Sequence, residues 1–196
     1  PMSEPASKFD ADYYQRFYVD PETRAASPVE QRRLAGFIAS YLKYLQLPVT
    51  RALDLGCGLG TLLREIGKQF PEAQCVGVEL SPYLCETYDW QHGSVIDYAD
   101  TPHDLVICSD VLGYLNKHEC AAAIKNLGRL CDGALYLAVI TTEDLEICDP
   151  EHTDMDQQAR PYRWYAQQLA PHFTAIGGGL FLRKPLAVPL WRMEQP

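Results

Sequence analysis

The segment Leu53-Asp54-Leu55-Gly56-Cys57-Gly58-Leu59-Gly60 constrains this chain more than any other. An apolar strand feeding a Gly-x-Gly turn at a helix start brings backbone close to a ligand, with N–H groups expected to point at it. Two details argue against a dinucleotide in that turn. Thr61 stands where a G-x-G-x-x-G pattern has its third glycine, whose missing side chain serves helix–strand packing. Asp54 places a carboxylate just ahead of the first glycine, where a pyrophosphate would approach. A carboxylate there suits a ligand that carries a cationic amine.

Strands and helices alternate around the turn. Apolar runs predict strands at 52–55, 75–79, 105–108 and 134–140, with a weak one at 90–94. Helices are expected at 61–69, from Ser81-Pro82 to about residue 88, and from Asn116-Lys117-His118-Glu119, which has capping-box spacing, to residue 130. A short acidic helix or loop then runs to Asp156, followed by a helix at 161–170. Strands at 173–182 and 187–191, separated by Lys184-Pro185, close the chain. Upstream, Ser27-Pro28-Val29-Glu30 opens a helix that Pro48 ends, its apolar side formed by Leu34, Phe37, Ile38, Tyr41, Leu42 and Leu45. Residues 9–18 hold five aromatics, and Tyr13/Phe17 and Tyr14/Tyr18 share a stripe if that stretch is helical. Such alternation means an α/β domain whose parallel sheet is covered on both faces.

Asp54–Gly60 together with Glu79, at the end of the next strand, resembles the first motifs of the class I S-adenosylmethionine-dependent methyltransferases. Gly93-Ser94-Val95 and the stretch from Asp104 to Leu112 extend the resemblance, which covers residues 51–140 well and the rest by topology. It implies a doubly wound Rossmann-like fold: a mostly parallel seven-stranded sheet with an antiparallel C-terminal hairpin and an N-terminal helical extension. The chain then reads as one domain, 1–196, with a helical lid or extension at 1–48 and a cofactor-binding core at 49–196. The implied cofactor is S-adenosyl-L-methionine. Asp54 and Gly56 would lie at its methionine end, with Cys57 a small filler in the turn and Gly58 and Gly60 making the close approach. Glu79 would accept from both ribose hydroxyls, and Leu80 would pack on adenine. Ser94 stands where the family often has an acid, so the Val95 backbone or Asp97 would meet the adenine edge instead. Ser109 would border the sulfonium.

The acceptor side is less sharply marked. Asp110 is a site carboxylate or a helix cap, and Tyr114 is a site or core residue. An N-terminal tyrosine such as Tyr14 completes the catalytic candidates, and any of these three would orient the acceptor or take its proton. The aromatic segment is a packed helix or a lid; a lid would give methyl transfer a dry enclosure. Residues 143–156 contain seven acids, no Lys or Arg, and His152. This stretch matches no metal-ligand pattern and reads as a solvated loop, so no metal is expected.

Composition narrows the partners. The 17 Lys+Arg against 26 Asp+Glu give a net charge of −9, which repels phosphate backbones and anionic membranes. The seven cysteines are scattered without C-x-x-C spacing and read as reduced. With no apolar run of membrane-spanning length, a cytoplasmic protein is expected. The reading is a methyltransferase acting on a small uncharged or cationic molecule. Alternatives are a protein or RNA substrate, a non-catalytic S-adenosylmethionine-binding module and, last, a nicotinamide-dependent oxidoreductase. Neither the methylated atom nor the oligomeric state is encoded in a motif.

Overall fold

The computed structural model describes residues 10–24 and 26–190. Phe9 and Trp191, which belong to two of the expected elements, lie outside the described residues. Seven strands form one sheet in the order β3-β2-β1-β4-β5-β7-β6. These are β1 Arg51–Leu55, β2 Gln74–Glu79, β3 Gln91–His92, β4 His103–Ser109, β5 Cys131–Ala138, β6 Phe173–Gly177 and β7 Leu180–Arg183. The pairs among β1 to β5 are parallel, while β7 runs antiparallel to both β5 and β6. β1 pairs with both β2 and β4, so the strand order reverses there, and ligands of open α/β sheets bind outside the carboxyl ends at such a point.

Alternation along the strands sends residues to two cores. Leu53, Leu55, Val106, Cys108, Leu135 and Leu137 face one side. There they meet helices α5 (Lys117–Leu130) and α6 (Tyr162–Leu169), through residues such as Ile124, Leu127 and Leu169. Ala52, Leu105, Ile107 and Tyr136 face the other side, against α2 (Pro28–Tyr44) and α3 (Thr61–Gln69). α4 (Pro82–Tyr88) follows β2 and buries Leu84. By the same alternation Asp54 lies on the α2/α3 side of β1, two residues after Ala52.

The start signals act as read. Ser27 accepts the Glu30 N–H while Glu30 accepts the Ser27 N–H, and Asn116 and Glu119 make the same reciprocal pair at α5. α2 buries Ala35, Ile38, Ala39 and Leu42 against the sheet, so it is one layer of the domain. Residue 48 therefore marks no packing boundary. The N-terminal part that stands apart from the sheet layers is α1 (Ala11–Tyr14), continued by a π-helical turn over Gln15–Val19.

Two expectations at the C-terminus need correction. The run 173–182 is not one strand but the hairpin β6–β7, because Gly177, Gly178 and Gly179 carry φ of 89°, 61° and 77°. Three successive residues in the left-handed region reverse the chain at little cost only when all lack Cβ. The second correction is at 187–190, which forms no strand; Pro185 and Pro189 withdraw backbone donors there. The hairpin thus comes from within 173–183, and the seven-strand total stands. No helix among the described residues is long and apolar enough to cross a membrane.

Candidate active site

The carboxyl ends of β1 and β4 open into a cavity of about 290 Å³. Its floor is the glycine turn. Gly56, Gly58 and Gly60 all have positive φ, and a Cβ on Gly56 would come within 2.3 Å of Val111 Cγ2. One on Gly60 would come within 2.3 Å of the Trp90 ring. Trp90 also donates through its indole N–H to the Gly58 carbonyl at 3.0 Å, so a residue read only as a strand edge braces the turn.

Four of the turn's five N–H groups, those of Gly56, Cys57, Gly58 and Gly60, are spent inside the protein and not on the cavity, against expectation. Gly56 and Cys57 both donate to the Val78 carbonyl (2.8 and 3.1 Å), and Gly60 donates to Cys57 (2.7 Å). The Gly58 N–H donates to Glu79 Oε2 at 2.9 Å. These bonds fasten the turn to β2. Backbone donors for a ligand come instead from the first turn of α3, where Thr61 and Leu62 line the cavity beyond Gly60, a cap with no side chain. Burial raises the pKa of the Cys57 thiol, in keeping with a filler.

Asp54 lines the same cavity, 3% exposed. Among the described residues no donor reaches its carboxylate, and the neighbouring charge is Glu79. Burial and that like charge push its pKa up to about 8. Glu79, also buried, accepts the N–H groups of Leu80 (2.8 Å) and Ser81 (3.0 Å) through Oε1 as well as that of Gly58. The Tyr14 hydroxyl lies over it, 3.5 Å from Oε1. Glu79 and the half-buried Leu80 are accordingly set back from the cavity lining, as are Ser94 and Val95. Ser94 Oγ accepts the Ile96 N–H (3.2 Å), and the Val95 carbonyl accepts Asn126 Nδ2 (3.0 Å). Asn126 also donates to the Tyr98 carbonyl (3.0 Å), pinning the loop after β3; no sequence motif marks it. Asp97 is exposed.

The other wall carries the acceptor-side candidates. Asp110 leaves β4 in the left-handed conformation (φ 58°), accepts from Ser109 Oγ at 3.1 Å and lines the cavity with Ser109. The protein around it raises its pKa. It caps no helix: α5 is capped by Asn116. The Tyr114 hydroxyl donates to Asp154 Oδ2 at 2.8 Å, and the Tyr13 hydroxyl donates to Tyr114 at 2.8 Å. Burial, reinforced by these partners, raises the Tyr114 pKa far above neutral, so its phenol holds its proton. Tyr13, Phe17 and Tyr18 of the N-terminal segment line the cavity. The tilted ring pairs Tyr13/Phe17 and Tyr14/Tyr18, 5.0 and 5.4 Å between centroids, form as the spacing predicts. Tyr14 itself turns inward to Glu79, and Tyr13 is the tyrosine that reaches the acceptor wall.

The acidic stretch is used residue by residue. Asp144 accepts from Thr141 N and Oγ1, Glu143 from Tyr162 N, and Asp149 from His152 Nδ1. Asp154 is the acid that enters the cavity. Among the described residues no group of three or more His, Cys, Asp or Glu is placed to hold a metal ion.

Comparison with known proteins adds three kinds of likeness. A family model described as a methyltransferase domain matches residues 28–177. The trans-aconitate 2-methyltransferase of Methylobacterium nodulans is 32% identical over 117 residues, 56% of this chain and 44% of that protein. The malonyl-[acyl-carrier protein] O-methyltransferase of Legionella pneumophila is 39% identical over 56 residues, 29% of this chain and 20% of that protein. The chain thus spans less than half the length of the curated relatives it matches. Among solved structures, the magnesium protoporphyrin IX methyltransferase of Synechocystis PCC 6803 shares the fold with a TM-score of 0.64 at 18% identity, covering 86% of this chain and 84% of that one. The sugar N-methyltransferase KedS8 of a Streptoalloteichus species gives the same TM-score and identity over 87% and 91% of the two chains. With the glycine turn and the reversed strand order in place, the match over 28–177 makes the chain a member of the methyltransferase-domain family, the class I S-adenosylmethionine-dependent methyltransferases.

Proposed function

We propose that this chain binds S-adenosyl-L-methionine in the cavity above the glycine turn and methylates a small molecule that carries no negative charge. The observation that carries the reading is Asp54, a buried carboxylate in the cavity wall with no donor among the described residues. A buried carboxylate left unpaired is costly, and a ligand amine is the partner that offsets the cost. The residues present fit the cofactor. Asp54 would hold its amine and the first turn of α3 its carboxylate, while Glu79, set back under Tyr14, would meet its ribose hydroxyls with Tyr14 displaced. Glycines at 56 and 60 keep the turn open where a Cβ would collide with Val111 or Trp90.

When bound, this cofactor supplies a methyl group on a sulfonium, transferable by in-line displacement to a nucleophile. The chain's own work is alignment, exclusion of water and management of one proton. Tyr13, Phe17 and Tyr18 close the cavity from above as the lid. Asp110 is the group suited to take the acceptor's proton, because its carboxylate lines the cavity at the end of β4. Tyr114, protonated and fixed on Asp154, orients the acceptor. Tyr14 governs access to Glu79 and has no place at the reacting atoms.

The acceptor's class follows from size and charge. A cavity of about 290 Å³ under an aromatic cover suits a small molecule better than a polynucleotide, which the net −9 also repels. The two curated relatives are named for acceptors with malonyl and aconitate groups, which carry carboxylates. Among the described residues no Lys or Arg lines this cavity to receive one. Parallel calorimetric titrations with S-adenosylhomocysteine and NAD test the reading: the first binds and the second does not, and binding of NAD alone would overturn it. Release of S-adenosylhomocysteine from S-adenosylmethionine on addition of small amines or alcohols separates an enzyme from a binding module.

A further inference from the structure

The N-terminal segment closes the cofactor end of the cavity with its own side chains. Tyr14, 6% exposed, donates its hydroxyl to Glu79 Oε1 at 3.5 Å. The Tyr14 and Tyr18 rings stand over the bare face of Gly58, each 3.9 Å from where a Cβ would lie. The open cavity therefore takes in Asp54 and the glycine turn but stops short of Glu79 and Leu80. A ribose reaches Glu79 only after Tyr14 has left it. Tyr14 is not free to leave alone. Its ring meets Tyr13 edge to face at 5.3 Å and Tyr18 at 5.4 Å, and Tyr13 meets Phe17 at 5.0 Å. Rings in mutual contact on α1 and its π-helical continuation shift together. Backbone bonds close within the same block, from Tyr14 N–H to the Asp10 carbonyl (3.2 Å) and from Asp20 N–H to the Gln15 carbonyl (2.8 Å). On the acceptor side the Tyr13 hydroxyl donates to Tyr114 at 2.8 Å, and Tyr114 is itself fixed on Asp154. One tyrosine of the block thus covers the ribose acid while its neighbour fastens the block to the opposite wall.

We propose that residues 10–19 are a latched gate on the cofactor site, in which Tyr14 occupies the ribose position at Glu79 and the Tyr13–Tyr114 bond sets how fast cofactor enters and product leaves. The block opens as one, the ligand enters, and Tyr13 returns to Tyr114 with Tyr14 held off Glu79 by the ribose. This rests on the cofactor reading above, and the test separates the two. Calorimetry of the full chain with S-adenosylhomocysteine gives Kd. Chase of the radiolabelled ligand with excess unlabelled ligand gives the dissociation rate. The latch is made in both the free and the loaded closed forms. Tyr13→Phe should therefore speed dissociation by about three- to tenfold and leave Kd within about twofold. Tyr14 meets Glu79 only in the free form, so Tyr14→Phe should lower Kd by about two- to fivefold and leave dissociation within about twofold. Tyr114→Phe removes the other half of the latch, and adding it to Tyr13→Phe should change dissociation by less than about twofold. A thermal melt shows that each variant is folded. If one is not, the wild type decides: its association rate, followed by fluorescence of Trp90 at the turn, should level off as ligand is raised, because opening sets the limit. A rate that climbs linearly to about a hundredfold above Kd overturns the gate. An unchanged dissociation rate in Tyr13→Phe overturns it as well, as does a Kd that rises or stays the same in Tyr14→Phe. Absence of S-adenosylhomocysteine binding in the calorimeter overturns the cofactor reading instead.

Discussion

Asp54 is the residue where stability and function pull in opposite directions, and Asp54→Asn measures the conflict. The carboxylate is 3% exposed, has Glu79 as its neighbouring charge and has its pKa pushed from 3.8 up to about 8. A raised folded-state pKa means that the folded chain holds the proton more tightly than the unfolded one. The associated stability is therefore complete below the unfolded pKa and is lost as pH rises through the folded value. About four units at roughly 1.4 kcal/mol each give about 6 kcal/mol over the whole window. Asparagine has nearly the same shape and does not titrate. Urea unfolding of both proteins at a series of pH values should show the variant gaining on the wild type by about 1.4 kcal/mol per unit between about pH 5 and pH 8, then levelling off. Any fixed cost of burying an amide cancels, because the slope carries the information. A difference between the two proteins that is flat within about 0.5 kcal/mol across that range would refute the reasoning. The same substitution should weaken S-adenosylhomocysteine binding, since the acid that destabilises the empty fold is the one that meets the ligand's amine.

Three further outcomes are expected. Gly56→Ala, with φ +82° and Val111 Cγ2 2.3 Å from the new Cβ, should cost about 2–4 kcal/mol, whereas Gly36→Ala in the interior of α2, with nothing within 4 Å, should gain about 0.5–1 kcal/mol; thermal denaturation reads both, and equal shifts would contradict the turn geometry. Asn126→Ala leaves the Val95 and Tyr98 carbonyls without their amide donor and should cost about 2–4 kcal/mol in urea unfolding, with faster hydrogen exchange in the loop after β3. Tyr14→Phe removes the hydroxyl that covers Glu79 at 3.5 Å, so S-adenosylhomocysteine affinity should rise by about two- to fivefold by calorimetry, with kcat unchanged; a large fall in kcat would return Tyr14 to the reacting atoms.

The parts of the fold legible in the sequence are those written in local chemistry. Ser27 with Glu30 and Asn116 with Glu119 announce helix starts that depend on side chains three residues apart, and both pairs form. The glycine turn was legible because its conformation demands glycine at defined positions. The direction of its N–H groups was not, since their acceptors, Val78 and Glu79, lie on another strand. For the same reason Trp90, Asn126 and the Tyr13–Tyr114–Asp154 chain carry no signal: each acts across 28 residues or more, where spacing says nothing. The antiparallel C-terminal hairpin is legible in kind but not in its bounds, because apolar flanks on both sides hide the break at glycines 177 to 179.

A crystal of the protein grown with S-adenosylhomocysteine tests the central claim most directly. The ligand should lie above Gly56–Gly60, its amine within hydrogen-bonding distance of Asp54 and its ribose hydroxyls on Glu79, with Tyr14 displaced from that carboxylate. Its sulfur should face Asp110 and Tyr114 beneath the Tyr13–Phe17 cover. Density elsewhere, or a ligand in this cavity that leaves Asp54 and Glu79 untouched, would contradict the account.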